Sequence, residues 1–131
     1  MKKHVLVKRK HRYTQERDIL YQGSCNIEKN GDGWRCRYVQ ESKETSVQIE
    51  VITTKTGMEI HSQGETESRL IFERGKRTKG WLTSDYGTID IDLDTIKYIC
   101  RDQMITLVYD IYHGDVLSGG YQIIWNIKEE S

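Results

Sequence analysis

Apolar residues in this chain recur at every second position rather than at the 3.6-residue spacing of a helix, which places them on one face of extended strands. Ile105, Leu107, Tyr109 and Ile111 alternate with Thr106, Val108, Asp110 and Tyr112. Tyr121, Ile123, Trp125 and Ile127 alternate with Gln122, Ile124, Asn126 and Lys128, so two half-buried strands are predicted around the glycine-rich stretch from His113 to Gly120. Upstream, Ile89, Ile91 and Leu93 interleave with Thr88, Asp90, Asp92 and Asp94, an inward and outward alternation whose charged face must meet water. Val47, Ile49 and Val51 repeat the pattern against Gln48 and Glu50, as do Leu70 and Phe72 against Arg69 and Glu73.

The strongest turn signal is Asn30-Gly31-Asp32-Gly33, whose residues tolerate positive φ between two strand-like runs and predict a hairpin. Two registers fit. A two-residue turn at Asn30-Gly31 sets Cys25 opposite Cys36, whereas a loop of all four residues sets Cys25 opposite Tyr38 and Ile27 opposite Cys36. Proline is absent, so reversals depend on Gly, Asn, Asp and Ser. Chain reversals every ~8–12 residues give about eight to ten strands and little helix. The expectation is all-β: one domain over residues 1–131, folded as a closed antiparallel barrel, because closure removes the edges that a sandwich must protect.

Twenty basic and twenty acidic side chains cancel over 131 residues, which gives no whole-molecule drive toward nucleic acid or an anionic membrane. Their distribution is uneven. Residues 1–80 hold 17 Lys and Arg against 11 Asp and Glu, a net +6, and residues 81–131 hold 3 against 9, a net −6. The basic first strand and the acidic later ones would meet if the chain's ends pair. Near the start the longest apolar run is Val5-Leu6-Val7, far short of the ~7–15 residues of a signal-peptide core. Cys25, Cys36 and Cys100 are an odd number at wide spacing, unlike a secreted disulfide framework, so a cytoplasmic protein with buried thiols is expected.

The run WLTSDYGTIDIDLDTIKY, the later MITLVYDIY and the final YQIIWNI, with Gly23, the YVQE segment from Tyr38 to Glu41 and the FERG segment from Phe72 to Gly75, resemble the YwiB-like bacterial proteins. The likeness spans residues 18–128 and rests on positions such as Thr83, Tyr86, Gly87 and Tyr109. It implies a calycin-type (lipocalin-like) β-barrel and brings no established activity. One departure is that the chain reads His61-Ser62-Gln63-Gly64 where that family often has an Arg-Gly-like step.

Candidate chemistry is sparse. His4, His11, His61 and His113 are scattered without the spacing of a metal site, so no metal is expected. Asp90, Asp92 and Asp94 share a strand face at ~7 Å steps, but parallel side chains do not converge as calcium ligands must. Lys8-Arg9-Lys10 with Arg12, and the RGKRTKG run from Arg74, lack the interleaved aromatics of a single-strand platform. No phosphate loop or nucleophile elbow is present, so no catalytic residue and no cofactor is assigned and the reading leans away from an enzyme.

The aromatic residues carry most information. Tyr21, Tyr38, Phe72, Tyr109, Tyr121 and Trp125 share the inward parity, and a barrel of about eight strands has room either for their side chains or for one small ligand. The leading expectation is a noncatalytic barrel that takes a small, partly apolar ligand at one mouth. Tyr38, Tyr109 and Trp125 would form its wall, and His61 and Glu41 its polar contacts. The alternative is a protein-interaction module or homodimer with a filled lumen, using the outward apolar residues Val108, Tyr112 and Ile124.

Overall fold

The structure, a computed structural model, describes residues 1–129. Its ten strands are β1 (Lys2–His11), β2 (Arg17–Asn30), β3 (Gly33–Glu41), β4 (Ser46–Thr53), β5 (Gly57–Gln63), β6 (Glu67–Glu73), β7 (Arg77–Ser84), β8 (Gly87–Cys100), β9 (Met104–His113) and β10 (Val116–Glu129). Each strand pairs antiparallel with its neighbours in sequence, and β1 also pairs with β10, so the meander closes into the expected barrel. No helix occurs among the described residues.

Period-two alternation selects the interior as expected. Val5, Val51, Leu93, Ile105 and Leu107 are wholly buried, and Ile123, Trp125 and Ile127 follow them along β10. One parity change is invisible in the apolar pattern: the β8–β9 register shifts between Thr95 and Lys97, and this bulge turns Tyr98 inward, where it is buried. A second shift lies in the β1–β2 ladder, where Val7 pairs with Tyr21 but Lys8 pairs with Ile19, leaving Leu20 as the extra residue.

At the β2–β3 hairpin Asn30 pairs with Gly33, so the turn is Gly31-Asp32, with Gly31 at φ 60°. A positive φ at only the first turn position matches a type II′ turn, which suits the twist of the flanking strands. The register sets Ile27 opposite Cys36, the second of the two expected arrangements. Cys25 and Cys36 are both buried and are not joined in a disulfide. The Cys36 thiol is pushed far up, first by its hydrogen bond with Cys25 and then by burial.

Chain closure joins the basic β1 to β10, from Lys3 opposite Glu129 to His11 opposite Tyr121, with a Lys3–Glu129 ion pair of 2.8 Å. In the acidic row on β8, Asp92 finds its cations next door, 2.7 Å from Lys79 and 3.7 Å from Arg77 on β7. The charge asymmetry of the sequence is therefore resolved mostly between adjacent strands.

The two barrel ends differ. At one end the β6–β7 turn extends the β7–β8 ladder, with Gly75 N–H donating to the Thr95 carbonyl at 3.3 Å and Thr95 N–H to the Lys76 carbonyl at 3.2 Å. Arg74 donates from Nε and Nη2 to the Tyr98 carbonyl at 3.0 and 2.9 Å, and its guanidinium carbon lies 5.6 Å from the Tyr98 ring centroid. The Tyr98 hydroxyl donates to the Thr54 carbonyl at 2.6 Å. These contacts seal what we term the closed end. The other, open end is where odd-numbered strands finish and even-numbered strands begin; there the inward residue Ile89 is 56% exposed, and Leu82, Ile111 and Tyr121 are half-buried.

Candidate functional site

The site begins with a gap in the barrel wall. β2 and β3 pair only between Asn26–Asn30 and Gly33–Arg37; beyond that point, toward the open end, the two strands part. The bulge at Leu20 supplies a physical reason, because an extra residue bends and twists the strand that carries it. Two side chains take up backbone carbonyls in the parted region: the Gln40 amide donates from Nε2 to the Leu20 carbonyl at 2.8 Å, and the Tyr21 hydroxyl donates to the Ser24 carbonyl at 2.6 Å. Gly23 leaves room for this fold-back, since a Cβ there would lie 2.8 Å from Tyr21 Oη.

A cleft of about 950 Å³ occupies the gap and continues toward the open end. Its apolar lining includes Leu20, Tyr21, Val47 and Ile49, and its polar lining includes Gln40, Glu41 and Ser62. Tyr21 and Tyr38 stack across it with ring centroids 4.5 Å apart and planes 22° apart. Tyr38 is buried, and its hydroxyl accepts a hydrogen bond from Trp125 Nε1 at 3.4 Å. Burial pushes the Tyr38 phenol well above the usual tyrosine range, and burial first, then the neighbouring Cys25 and Cys36 and last the Glu41 carboxylate, raises that of Tyr21. The phenols therefore stay neutral donors at neutral pH.

Across the lumen the open end is also aromatic. Tyr109 packs on Phe72 at 4.7 Å and on Tyr121 at 5.8 Å, and burial again pushes its phenol up. Arg9, inward by parity with Val5 and Val7, places its guanidinium 5.1 Å from the Tyr121 centroid and pairs with Asp18. His11 meets the same ring edge-on at 4.7 Å. Each open-end ring thus rests on another ring, on a cation or on an imidazole.

The five residues singled out from sequence occupy three different settings. Glu41 lies on the exposed rim of the cleft, and Tyr38 is buried behind it, stacked on the lining residue Tyr21. Tyr109 lies across the lumen among Phe72 and Tyr121, and Trp125, 2% exposed, sits beneath Tyr38 as its support. His61 is apart from them, on the outer face, with Nε2 3.1 Å from Glu59 Oε1 and Nδ1 4.0 Å from Glu50 Oε1. It lines an outer groove of about 280 Å³ with Arg37, Tyr38, Gln48 and Glu50, so Tyr38 borders this groove as well. Glu59 is held below the usual carboxylate range although burial opposes this, because His61 and Arg69 hydrogen-bond its charged form.

Sequence reasoning missed Tyr21 and Gln40 as site residues and missed the inward Arg9–Asp18 pair. The Val5-Val7-Arg9 parity carried a signal for Arg9. The parting of β2 from β3 carried none, since Leu20 looks like any other apolar strand residue.

The arrangement offers neutral donors, neutral acceptors and one rim carboxylate around an aromatic and aliphatic surface, which suits binding. No group of three His, Cys, Asp or Glu among the described residues could hold a metal ion. The buried carboxylate Asp110 is engaged by Arg12 and by the Tyr13 hydroxyl at 2.9 Å, and so ties the β1–β2 loop to β9.

No curated protein sequence matches this chain. The crystal structure of the ywiB protein from Bacillus subtilis is similar in fold, with a TM-score of 0.81 at 12% sequence identity, covering 99% of this chain and 92% of that one. That likeness carries the barrel and, at such an identity, nothing finer. The domain family of unknown function DUF1934 matches residues 5–124, nearly the whole barrel from β1 to β10, and the chain belongs to that family.

Proposed function

We propose that the barrel binds a small, partly apolar ligand in the cleft between β2 and β3. One observation carries this reading: the wall opens to about 950 Å³ beside a stacked tyrosine pair, in a barrel whose remaining interior is packed with side chains. A cleft of that order has room for a small molecule, and its lining mixes apolar side chains with a larger set of polar ones. Tyr21, backed by the stacked Tyr38, offers a planar surface, Ile49 and Val47 an aliphatic one, and Gln40, Ser62 and Glu41 orient the polar part. Tyr109 and Trp125 act from behind as supports. His61, on the outer face, has no part in the cleft.

The test is a neutral apolar dye, N-phenyl-1-naphthylamine, titrated into the wild type and into Val47→Trp, which fills the cleft from its aliphatic side. Binding-induced fluorescence in the wild type, lost in the variant at unchanged melting temperature, supports the reading. Equal fluorescence in both proteins, or none in either, overturns it. Native mass spectrometry of protein from its own host then identifies what the cleft carries.

A second reading, an interaction module or homodimer, is favoured by a different observation. Val108, Tyr112 and Ile124, the outward residues that motivate it in sequence, are half-buried, but Tyr86 is fully exposed and Ile89, Val116, Leu117 and Tyr13 are exposed at the same open end. Exposed apolar residues gathered at one end of a domain mark a candidate contact surface. Sedimentation of a monomer across the micromolar range, unchanged by Tyr86→Ser, rules out self-association through this rim.

A further inference from the structure

We propose that the outer face of β1, β2 and β10 holds a second binding site, adjoining the cleft and sharing Ile19 with it, for a soluble organic anion: a phosphate monoester with a short apolar portion. The ladder registers bring its cations together. Lys10 lies directly opposite Arg17 on one side and Gln122 on the other, and Lys8 lies between Ile19 and Ile124. A groove of about 490 Å³ runs over these residues.

The charges in the groove do not balance. Lys8, Lys10 and Arg17 make no ion pair among the described residues. The only carboxylate lining the groove is Asp18, and both its oxygens are taken by Arg9, with Nε 3.2 Å from Oδ1 and Nη2 2.7 Å from Oδ2. Arg9 and Asp18 share the inward parity and satisfy each other, so Lys8, Lys10 and Arg17 stand together on the outer face without a partner carboxylate among the described residues. A like-charge pair directly across a ladder, such as Lys10 and Arg17, destabilises a sheet, so this face carries an internal repulsion that an anion relieves. Elsewhere in the barrel, cations that share a ladder with carboxylates are compensated in place, as Lys79 is by Asp92 and Arg37 by Glu50.

The apolar part of the ligand follows from Ile19, 60% exposed, and Ile124 on the opposite side of Lys8. No aromatic ring lines the groove, so the stacking surface that a nucleic-acid single strand uses is missing. Arginine and lysine together suit a phosphate, the first as a planar fork and the second as a point charge.

The experiment is isothermal titration of inorganic phosphate, hexyl phosphate and hexanol at fixed ionic strength into wild type, Lys10→Gln, Arg17→Gln and Ile19→Ser, with melting temperatures for each. Hexyl phosphate is expected to bind more tightly than inorganic phosphate by several-fold, and Ile19→Ser to erase that advantage. Lys10→Gln is expected to weaken binding about tenfold while melting no lower than wild type, because it removes a repulsion. Val47→Trp, which closes the cleft, is expected to leave hexyl phosphate binding intact, so failure of the two sites is distinguishable. The proposal falls if Lys10→Gln and Arg17→Gln bind hexyl phosphate as wild type does, or if hexanol binds equally well. It also falls if the protein pellets with phosphatidic acid vesicles yet ignores soluble hexyl phosphate, which would assign the face to a membrane surface.

Discussion

Tyr21 and Tyr38 stack 4.5 Å apart across the stretch where β2 and β3 share no ladder hydrogen bonds, so two rings hold together what the backbone leaves open. An aromatic pair contributes about 0.5–1.5 kcal/mol beyond the area it buries. Tyr21→Ala removes the stack and the hydroxyl's bond to the Ser24 carbonyl, and the expected loss is about 2 kcal/mol in urea unfolding. Tyr21→Phe keeps the stack and is expected to lose about half as much. Equal losses for the two substitutions would show that the ring contributes nothing across the gap.

Two glycines on β2 and β3 separate a local rearrangement from a global one. At Gly23 an added Cβ meets the far end of the Tyr21 side chain, which can swing away, whereas at Gly33 it would land on the Thr53 backbone carbonyl oxygen, which cannot. Gly23→Ala is expected to cost about 1 kcal/mol and to raise the accessibility of Tyr21 to iodide quenching. Gly33→Ala is expected to cost several-fold more, about 3 kcal/mol or above, since β3 and β4 must separate or a buried carbonyl must lose its place. Chemical denaturation of both variants checks the ordering.

The closed end depends on Arg74, whose two hydrogen bonds to the Tyr98 carbonyl clamp the β6–β7 turn to β8. Bonds from a charged donor contribute about 1.5–3 kcal/mol. Arg74→Ala is expected to destabilise by about 2 kcal/mol and to speed amide exchange at Gly75 and Thr95, whose N–H groups bond across the same turn. Lys at this position is expected to recover less than half of the loss, because an ammonium lacks the fork that meets one carbonyl twice. Exchange confined to the global unfolding rate in the Ala variant would show that the turn is held by other contacts.

Much of this architecture was legible in the chain, for a reason that also marks where legibility ended. Period two is a property of each strand alone, so the inward rows through Ile105 and Leu107 or Ile123 and Trp125 could be read without neighbours. Register is a property of pairs. The Asn30 to Gly33 segment allowed two registers, and the sequence held nothing to choose between them. Bulges are a further step removed: the shift after Thr95 brings Tyr98 inside, and the one at Leu20 accompanies the parting that makes the cleft, yet each costs a single unremarkable residue. The candidate site follows the same logic. Tyr38 and Glu41 could be grouped from sequence because they lie on one strand near its open end, while Tyr21 and Gln40 acquire their contacts only from the gap between strands.

Three buried phenols set the response of the barrel to alkali. Tyr38, Tyr98 and Tyr109 are each pushed above the usual tyrosine range, mainly by burial, which disfavours the phenolate. A raised folded-state value means that stability is fully present below the unfolded value of about 10 and is lost as pH rises past it, because the unfolded chain releases protons that the folded barrel retains. Each such group contributes a slope of about 1.4 kcal/mol per pH unit, so the three together remove roughly 4 kcal/mol per unit above pH 10. Unfolding followed by circular dichroism and by tyrosinate absorbance is therefore expected to coincide in one steep alkaline transition, with these phenols ionising only as the barrel opens. Tyr109→Phe removes one of the three phenols and is expected to reduce the slope by about a third and move the midpoint to higher pH. Tyrosinate absorbance that rises fully near pH 10, ahead of any loss of strand signal, would show that these hydroxyls ionise in place and that burial does not control them.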